Sequence, residues 1–306
     1  MNREIDEEIN NIIGRSKKIN KDTLLLSGGG ISGIIYAGVF KALDELGILK
    51  NIKTIIGVSA GTLYSLMYLM GYTVQEIVKF AETFDSQKLT SIKNIENISI
   101  DKILLQYGVD NGDLFKKVFI KIAKQKKINP DITLLEFYNL NKIKFMIGVT
   151  NLDKMIDEYF SYESTPNIKL YDAIRATTSI PLYFTPVTIN NTLYIDGGCI
   201  NNFPINLFDN DLGNVVAIFI NNPINTCDNK NFINYFLNVL KSMSTGWQNS
   251  LKRGYKNFIE IDSGVNSIFK FGIDDKEKKR LIKLGYDSII NHPSLMNHNQ
   301  SYDYKS

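Results

Sequence analysis

The sequence predicts an α/β fold with a mostly parallel central sheet. Short uncharged runs rich in Ile, Leu and Val end in glycine turns, and a helical pattern follows each turn at once. Strands joined in this way by helices lie parallel, and the helices cover the faces of the sheet. The chain has 306 residues, 44% hydrophobic and 22% charged, which is sufficient for a large core.

The first two strand–helix units set this pattern. We predict a strand over 23–27, a helix from about Ser32 that ends at Gly47, a strand over 54–58 and a helix over 60–70 that stops at Gly71. Residues 23–40 and 54–75 carry no charge, and each window is about long enough to span a bilayer. Glycine and serine interrupt both windows, so buried strand–turn–helix units are the favoured interpretation.

The rest of the chain adds further elements of both kinds. We predict a mostly helical insert over 75–140, a strand over 144–151 with a partner near 155–161, a helix over 171–178, a hairpin over 187–195 around Asn190-Asn191, a strand over 215–220, and helices near 231–250 and 275–291. No repeat or linker is visible. We therefore expect one domain over 21–291, preceded by a polar helix over 1–20 and followed by a disordered tail over 292–306.

Charge and cysteine content restrict the partners and the compartment. The net charge of +3 permits contact with anionic membranes and is only a weak argument for nucleic acid, which we do not expect as a partner. Cys199 and Cys227 are too few for a disulfide scaffold. The charged N-terminus does not resemble a secretory signal. We expect a cytoplasmic protein, without a transmembrane helix, that contacts membranes peripherally at most.

The glycine-rich loop GGGISG, residues 28–33, has two interpretations. It fits the G-x-G-x-x-G pattern of dinucleotide-binding folds, but those folds also need an acidic residue at the end of the second strand. Here the second strand ends at Ser59, so a dinucleotide-dependent oxidoreductase is disfavoured and no cofactor is expected. Alternatively, backbone N–H groups of the loop, most of all those of Gly29 and Gly30, bind the oxyanion of a reacting ester.

The second loop supplies a candidate nucleophile. Residues 57–61, GVSAG, fit G-x-S-x-G at a strand-to-helix turn, where Gly57 and Gly61 permit the sharp bend and Ser59 is left exposed at the tip. The motif is frequent by chance, and its position between a predicted strand and a predicted helix is what supports the interpretation as a nucleophile elbow.

A serine nucleophile needs a base, and histidine is the usual one. His292 and His298 both lie in the polar tail, where solvated side chains are the favoured interpretation. The remaining candidate is Asp196 in YIDGG, residues 194–198, which ends a predicted strand. A carboxylate could serve as the base in a dry site, although DGG taken alone could simply form a turn.

The three motifs together, in this order, resemble the patatin-like phospholipase family. The similarity extends to 145–152 (FMIGVTNL), to 173–205 around Asp196 and to 281–290 (LIKLGYDSII). The resemblance implies a three-layer α/β/α fold, no metal, and hydrolysis of lipid acyl esters by a Ser–Asp dyad. It assigns Ser59 as the nucleophile and Asp196 as the proton acceptor. The residues of the oxyanion hole are Gly28, Gly29, Gly30, Ser32 and Gly33. Gly57 and Gly61 form the nucleophile elbow, and Asp196, Gly197 and Gly198 form the DGG motif.

One position departs from the family pattern. The family usually carries Arg or Lys where this chain has Ser32. Backbone donors survive this change, whereas a positive charge near the oxyanion is lost. A weakly active or inactive effector with the same fold, or an acyltransferase in which a lipid replaces water, therefore stays open beside the hydrolase.

Residues 111–127 form an amphipathic pattern with apolar residues on one face and lysines on the rest. The apolar face holds Leu114, Phe115, Val118, Phe119 and Ile122. Such a helix can lie in an anionic membrane interface. Packing of the apolar face on the core is the favoured alternative.

Overall fold

The computed structural model describes residues 21–91, 100–208, 211–223, 232–265 and 272–295. The helix predicted over 1–20, Cys227, His298 and the tail from residue 296 onward lie outside these ranges.

The described residues contain strands that alternate with helices along much of the chain. The strands are β1 (Thr23–Leu26), β2 (Thr54–Val58), β3 (Gly108–Asp110), β4 (Lys144–Asn151), β5 (Ile156–Phe160), β6 (Leu182–Phe184), β7 (Val187–Ile189), β8 (Thr192–Asp196), β9 (Val215–Asn221) and β10 (Ile259–Asp262). The helices are α1 (Ile35–Glu45), α2 (Ala60–Leu69), α3 (Val74–Thr83), α4 (Ile100–Gln106), α5 (Asp113–Gln125), α6 (Leu134–Asn141), α7 (Leu170–Thr177), α8 (Gly198–Asn201), α9 (Phe232–Gly254) and α10 (Asp275–Ile290).

The central sheet is mostly parallel, as the sequence predicts. Its strand order is β10-β9-β1-β2-β4-β8-β7, with β5 paired to β4 as well. The five strands from β10 to β4 run parallel, whereas β5, β7 and β8 add antiparallel pairs at one side. The parallel part is therefore built from the strand–helix units that the pattern of apolar runs and glycine turns indicates.

Both faces of the sheet are covered, which gives three layers. Leu24 and Leu26 of β1 belong to a large core cluster with α1, α2 and α10. Leu25, on the opposite face of the same strand, packs with Phe203 and Phe219 in a second cluster. This alternation follows from the two-residue period of a strand buried on both faces.

Two local predictions are confirmed by the backbone. The strand expected near 155–161 is β5, which pairs antiparallel with β4. The predicted hairpin joins β7 to β8 through Asn190 and Asn191, whose φ angles are 50° and 62°. Asparagine tolerates this left-handed conformation, and two such residues in a row match the twist of a hairpin.

Other elements differ from the sequence prediction. The helix expected from Ser32 starts as a 3₁₀ turn over Gly30–Ile34 and becomes α-helical only at Ile35. Strands β3 and β6 pair in a separate two-stranded sheet, and neither was predicted. Strand β10 was missed too. Pro293–Leu295 forms a 3₁₀ turn with Leu295 buried, so the expected disorder does not begin at residue 292.

Helix α5 packs its apolar face inward. Phe115, Phe119 and Ala123 are buried, while Lys117 and Lys121 are exposed. This is the core-packing alternative for the amphipathic pattern. Across the described ranges, none of the helices combines the length and the apolar character that crossing a bilayer requires.

Candidate active site

The register of the sheet brings Ser59 and Asp196 together. On β4, Gly148 pairs with Val58, the last residue of β2, and the next residue, Val149, pairs with Asp196, the last residue of β8. Strand β5 occupies the other edge of β4, so β2 and β8 meet end to end along the same edge. Ser59 and Asp196, which are 137 positions apart in the sequence, therefore lie next to each other where β2 and β8 end.

Ser59 sits in a sharp turn between β2 and α2. Its φ and ψ angles are 49° and −118°, a strained conformation for a residue with a side chain. A Cβ atom on Gly57 would lie 2.9 Å from the backbone of α2, and one on Gly61 would lie 2.7 Å from the carbonyl oxygens of Leu26 and Ser27. The glycines of GVSAG are therefore required by close packing of the strand, the turn and the helix.

The Ser59 hydroxyl donates a hydrogen bond of 2.7 Å to Oδ2 of Asp196. The other carboxylate oxygen, Oδ1, accepts the N–H of Gly198 at 2.8 Å. Both side chains are buried, so Ser59 is not exposed at the tip of the turn as the motif predicted. Burial raises the pKa of Asp196 to about 6, although the hydrogen bonds from Ser59 and Gly198 favour its charged form. A carboxylate with a raised pKa is a stronger base than an exposed one.

The glycine-rich loop lies directly beside Ser59. A Cβ atom on Gly28 would come within 3.2 Å of the Ser59 Cβ, and one on Gly33 would come within 2.5 Å of the Ala60 Cβ. Gly30 has a φ of 55°, in the left-handed region that favours glycine. The loop can approach the serine only because these positions carry no side chain.

The N–H groups of the loop are not all free. Gly28 donates to the carbonyl of Asn202 at 3.2 Å, and Ser32 donates to the carbonyl of Gly29 at 3.1 Å. Within the described part of the chain, the N–H groups of Gly29 and Gly30 form no hydrogen bond. Gly29 and Gly30 thus differ from Gly28 and Ser32, whose N–H groups are already bonded.

The side chain of Ser32 is fully buried, and its hydroxyl bonds a residue outside the glycine-rich loop. Its hydroxyl donates to Oδ1 of Asn222 at 2.6 Å, and that same oxygen accepts the hydroxyl of Ser263 at 2.7 Å. Ser32 therefore stabilises the base of the loop.

Two residues that the sequence interpretation missed hold the site in place. Asn202 accepts the Gly28 N–H through its carbonyl and donates from Nδ2 to the Gly28 carbonyl at 3.3 Å, which ties the glycine-rich loop to the segment after Asp196. The hydroxyl of Thr177 accepts the backbone N–H of Ser59 at 2.9 Å. Neither residue belongs to one of the three glycine motifs, so local sequence offered no signal for them.

Next to Ser59 lies an apolar cavity. Gly30, Ser59 and Thr178 contribute to its wall, and most of the remaining wall is aliphatic or aromatic. The apolar wall comes from α2 (Leu63, Tyr64, Leu66 and Met67), from α3 and the turn after it (Phe80, Phe84 and Leu89), and from α5 (Phe115, Val118, Phe119 and Ile122). The cavity thus joins the serine to the inner faces of the helical insert.

His292, the histidine in the described part of the chain, is not a hydrogen-bond partner of Ser59 or Asp196. His292 bonds the hydroxyl of Ser294 through Nδ1 at 2.8 Å in the C-terminal turn. The hydrogen-bond partner of Ser59 is a carboxylate, as the scarcity of histidines suggested.

The fold and the site place the chain among α/β proteins with a serine at a strand-to-helix elbow. The chain belongs to the patatin-like phospholipase family, whose model matches residues 24–209. This range contains all three glycine motifs, and it ends just after the segment that holds Asn202.

Relatives of the chain occur in viruses and in cellular organisms. Protein R571 of Acanthamoeba polyphaga mimivirus is 30% identical over 89% of this chain and 95% of its own length. The probable lipid hydrolase 463L of Invertebrate iridescent virus 6 is 32% identical over 60% of this chain and 62% of its own length. Lysophospholipase nte1 of Aspergillus fumigatus is 25% identical over 60% of this chain, which is only 11% of that enzyme.

The fold is shared with a solved bacterial structure. VipD from Legionella pneumophila superposes with a TM-score of 0.61 at 19% identity, and the match covers 90% of this chain and 67% of that one. At this level of identity, the likeness concerns the fold.

Proposed function

We propose that the protein hydrolyses fatty-acyl esters of phospholipids or related lipids through a Ser59–Asp196 dyad. The observation that carries the proposal is the 2.7 Å hydrogen bond from a strained, buried serine to a buried aspartate at the wall of an apolar cavity. Membership of the patatin-like phospholipase family and the names of two relatives support lipid ester hydrolysis.

The proposed reaction has two halves. Asp196 takes the proton of the Ser59 hydroxyl while Oγ attacks the ester carbonyl carbon, and the N–H groups of Gly29 and Gly30 stabilise the oxyanion. The intermediate collapses, the alcohol leaves with the proton from Asp196, and an acyl-enzyme remains on Ser59. Asp196 then takes a proton from water while the water oxygen attacks the acyl carbon. As the second intermediate collapses, the bond from the acyl carbon to Oγ breaks, Asp196 returns the proton to Oγ of Ser59, and the fatty acid is released.

The cavity suits the acyl chain of such a substrate. Apolar walls from α2, α3 and α5 bury hydrocarbon favourably, and the cavity opens onto the Ser59 side chain. The family and the cavity thus agree on a lipid substrate with a long apolar chain.

The test is fatty-acid release from mixed phospholipid vesicles. We expect wild-type protein to release fatty acid and Ser59→Ala and Asp196→Asn to lose most turnover, by a factor of about 10³ or more, because each removes one half of the proton transfer. Both variants should remain folded. Co-sedimentation of folded Ser59→Ala with the same vesicles measures the proposed peripheral membrane contact without turnover.

The released products identify the reaction. Equal release by wild type and Ser59→Ala would rule out Ser59 as the nucleophile. Acyl transfer to an added lysophospholipid in place of free fatty acid would assign the chain as an acyltransferase that uses the same dyad. Folded wild type that binds vesicles without releasing any fatty acid would support an effector instead.

A further inference from the structure

The backbone of Ser59 needs a partner to hold its strained conformation. A residue with a side chain in such a region is strained and persists only where its surroundings fix it. The Ser59 N–H is buried and donates to the hydroxyl of Thr177 at 2.9 Å. Without this acceptor, a buried donor would be left unpaired beside the nucleophile.

The Thr177 hydroxyl also reaches the central sheet. It donates to the carbonyl of Gly148 at 2.5 Å, and the Thr177 side chain is fully buried. Gly148 is the β4 residue that pairs with the end of β2, immediately before the residue that pairs with Asp196. A hydroxyl can accept one hydrogen bond while it donates another, so this one group links the elbow to the strand that sets the register.

The same segment holds the backbone of Asp196. The Asp196 N–H donates to the carbonyl of Ser179 at 3.0 Å, two residues beyond Thr177. The Ser179 hydroxyl accepts from Nη1 of the buried Arg175 at 2.5 Å and donates to the Arg175 carbonyl at 2.6 Å. The end of α7 therefore binds the backbone N–H groups of both dyad residues.

We propose that Thr177 is a positioning residue, whose hydroxyl fixes the Ser59 backbone at the angle from which Oγ reaches both Asp196 and the substrate carbonyl. This inference rests on the proposed function of the dyad. It has a second consequence: the Ser59 N–H is occupied by Thr177, so Gly29 and Gly30 supply the N–H donors of the oxyanion hole. The Thr177 hydroxyl bonds two backbone groups, the Ser59 N–H and the Gly148 carbonyl, and acts through them.

Three substitutions separate positioning from general stability. Thr177→Val keeps the shape and removes the hydroxyl, whereas Thr177→Ser retains it. Thr62→Val is the matched control, because the Thr62 hydroxyl is equally buried on the neighbouring helix α2 and has no hydrogen-bond partner among the described residues. The steady-state kinetics of a soluble acyl ester, together with melting temperatures, are measured for all of them and for Ser59→Ala.

We expect Thr177→Val to lower kcat by about tenfold or more, because a small misplacement of a reacting group has this effect. KM should change by less than about twofold, since the cavity is untouched. Thr177→Ser should recover most of kcat, and Thr62→Val should match wild type. If Thr177→Val does not fold, Thr177→Cys replaces it, because a thiol is a weak acceptor of similar size.

The outcomes are distinguishable. Wild-type kcat in Thr177→Val or Thr177→Cys, with turnover still dependent on Ser59, would overturn the positioning role and leave the dyad intact. An equal loss of kcat in Thr177→Ser and Thr177→Val would also overturn it, because the hydroxyl would then not be the relevant group. Turnover that persists in Ser59→Ala would instead refute the proposed function.

Discussion

At the scale of single residues, the site depends on a carboxyl group that is kept out of water. Asp196 is buried beside Ser59, and this burial raises its pKa to about 6. The proposed base must be ionised to accept a proton. We therefore expect kcat/KM to fall about tenfold per pH unit below pH 6 and to level off above it, because kcat/KM reports the free enzyme. A pH profile from 4.5 to 8 measures this.

Stability provides the control for this profile. Because the folded state raises the pKa of Asp196 above the ordinary value of 3.8, protonation favours the folded state. The stabilisation from this group is fully present below about pH 4 and is lost as the pH rises through about 6. Activity and this contribution to stability thus change in opposite directions. A flat rate profile across pH 6 for a folded enzyme would contradict the role of Asp196.

At the scale of elements, α1 and α10 pack closely through two glycines. A Cβ atom on Gly38 would clash with the Ile282 carbonyl, and one on Gly285 would clash with the Ile35 carbonyl. We expect Gly38→Ala and Gly285→Ala each to destabilise the fold by about 1–3 kcal/mol or more, since one helix must move away from the other. Urea unfolding measures the loss.

A third glycine supplies the matched control. Gly246 lies inside helix α9, and beyond the backbone of its own helix a Cβ atom there would have no neighbour within 4 Å among the described residues. Gly246→Ala should therefore stabilise the protein by about 0.5–1 kcal/mol through helix propensity. A destabilisation similar to that of Gly38→Ala would show that the effect comes from loss of glycine in general and is not caused by the helix contact.

At the scale of the whole molecule, the helical insert and the loops that follow the strands of the central sheet form the cavity together. Val118 on α5 and Ser59 after β2 both line it. We expect Val118→Trp to fill part of the cavity and to lower the selectivity for palmitoyl over butyryl esters by about tenfold or more, because each buried methylene contributes about 0.8 kcal/mol. Values of kcat/KM for the two esters give this ratio.

The other face of the same helix provides a comparison. Lys121→Trp adds the same ring at an exposed position outside the cavity wall. It should leave the palmitoyl-to-butyryl ratio unchanged. An unaltered ratio in Val118→Trp would mean that the acyl chain binds somewhere other than this cavity.

Strands that the local sequence pattern defines could be predicted, whereas strands that depend on pairing between distant segments could not. The strands β1, β2, β4 and β9 are mostly apolar segments buried on both faces of the sheet, so local pattern was enough to find them. Strands β3 and β6 are three residues long and exist because they pair with each other across 74 positions. Their local sequence carries no periodicity, and only the assembled molecule defines them.

The features of the candidate site also fall into two groups, those that local sequence predicts and those that only tertiary structure defines. The chain by itself indicated that glycine turns would follow two buried strands, that Ser59 would end the second, and that Asp196 was the remaining candidate for the base, because turn geometry and the scarcity of histidine are local or compositional facts. Tertiary structure alone decided that β2 and β8 lie end to end along β4. It also decided that the Gly28 N–H donates to Asn202 and the Ser59 N–H donates to Thr177, whereas the N–H groups of Gly29 and Gly30 stay unbonded within the described part of the chain. Hydrogen bonds between distant segments depend on register and burial, which arise only when the sheet is complete.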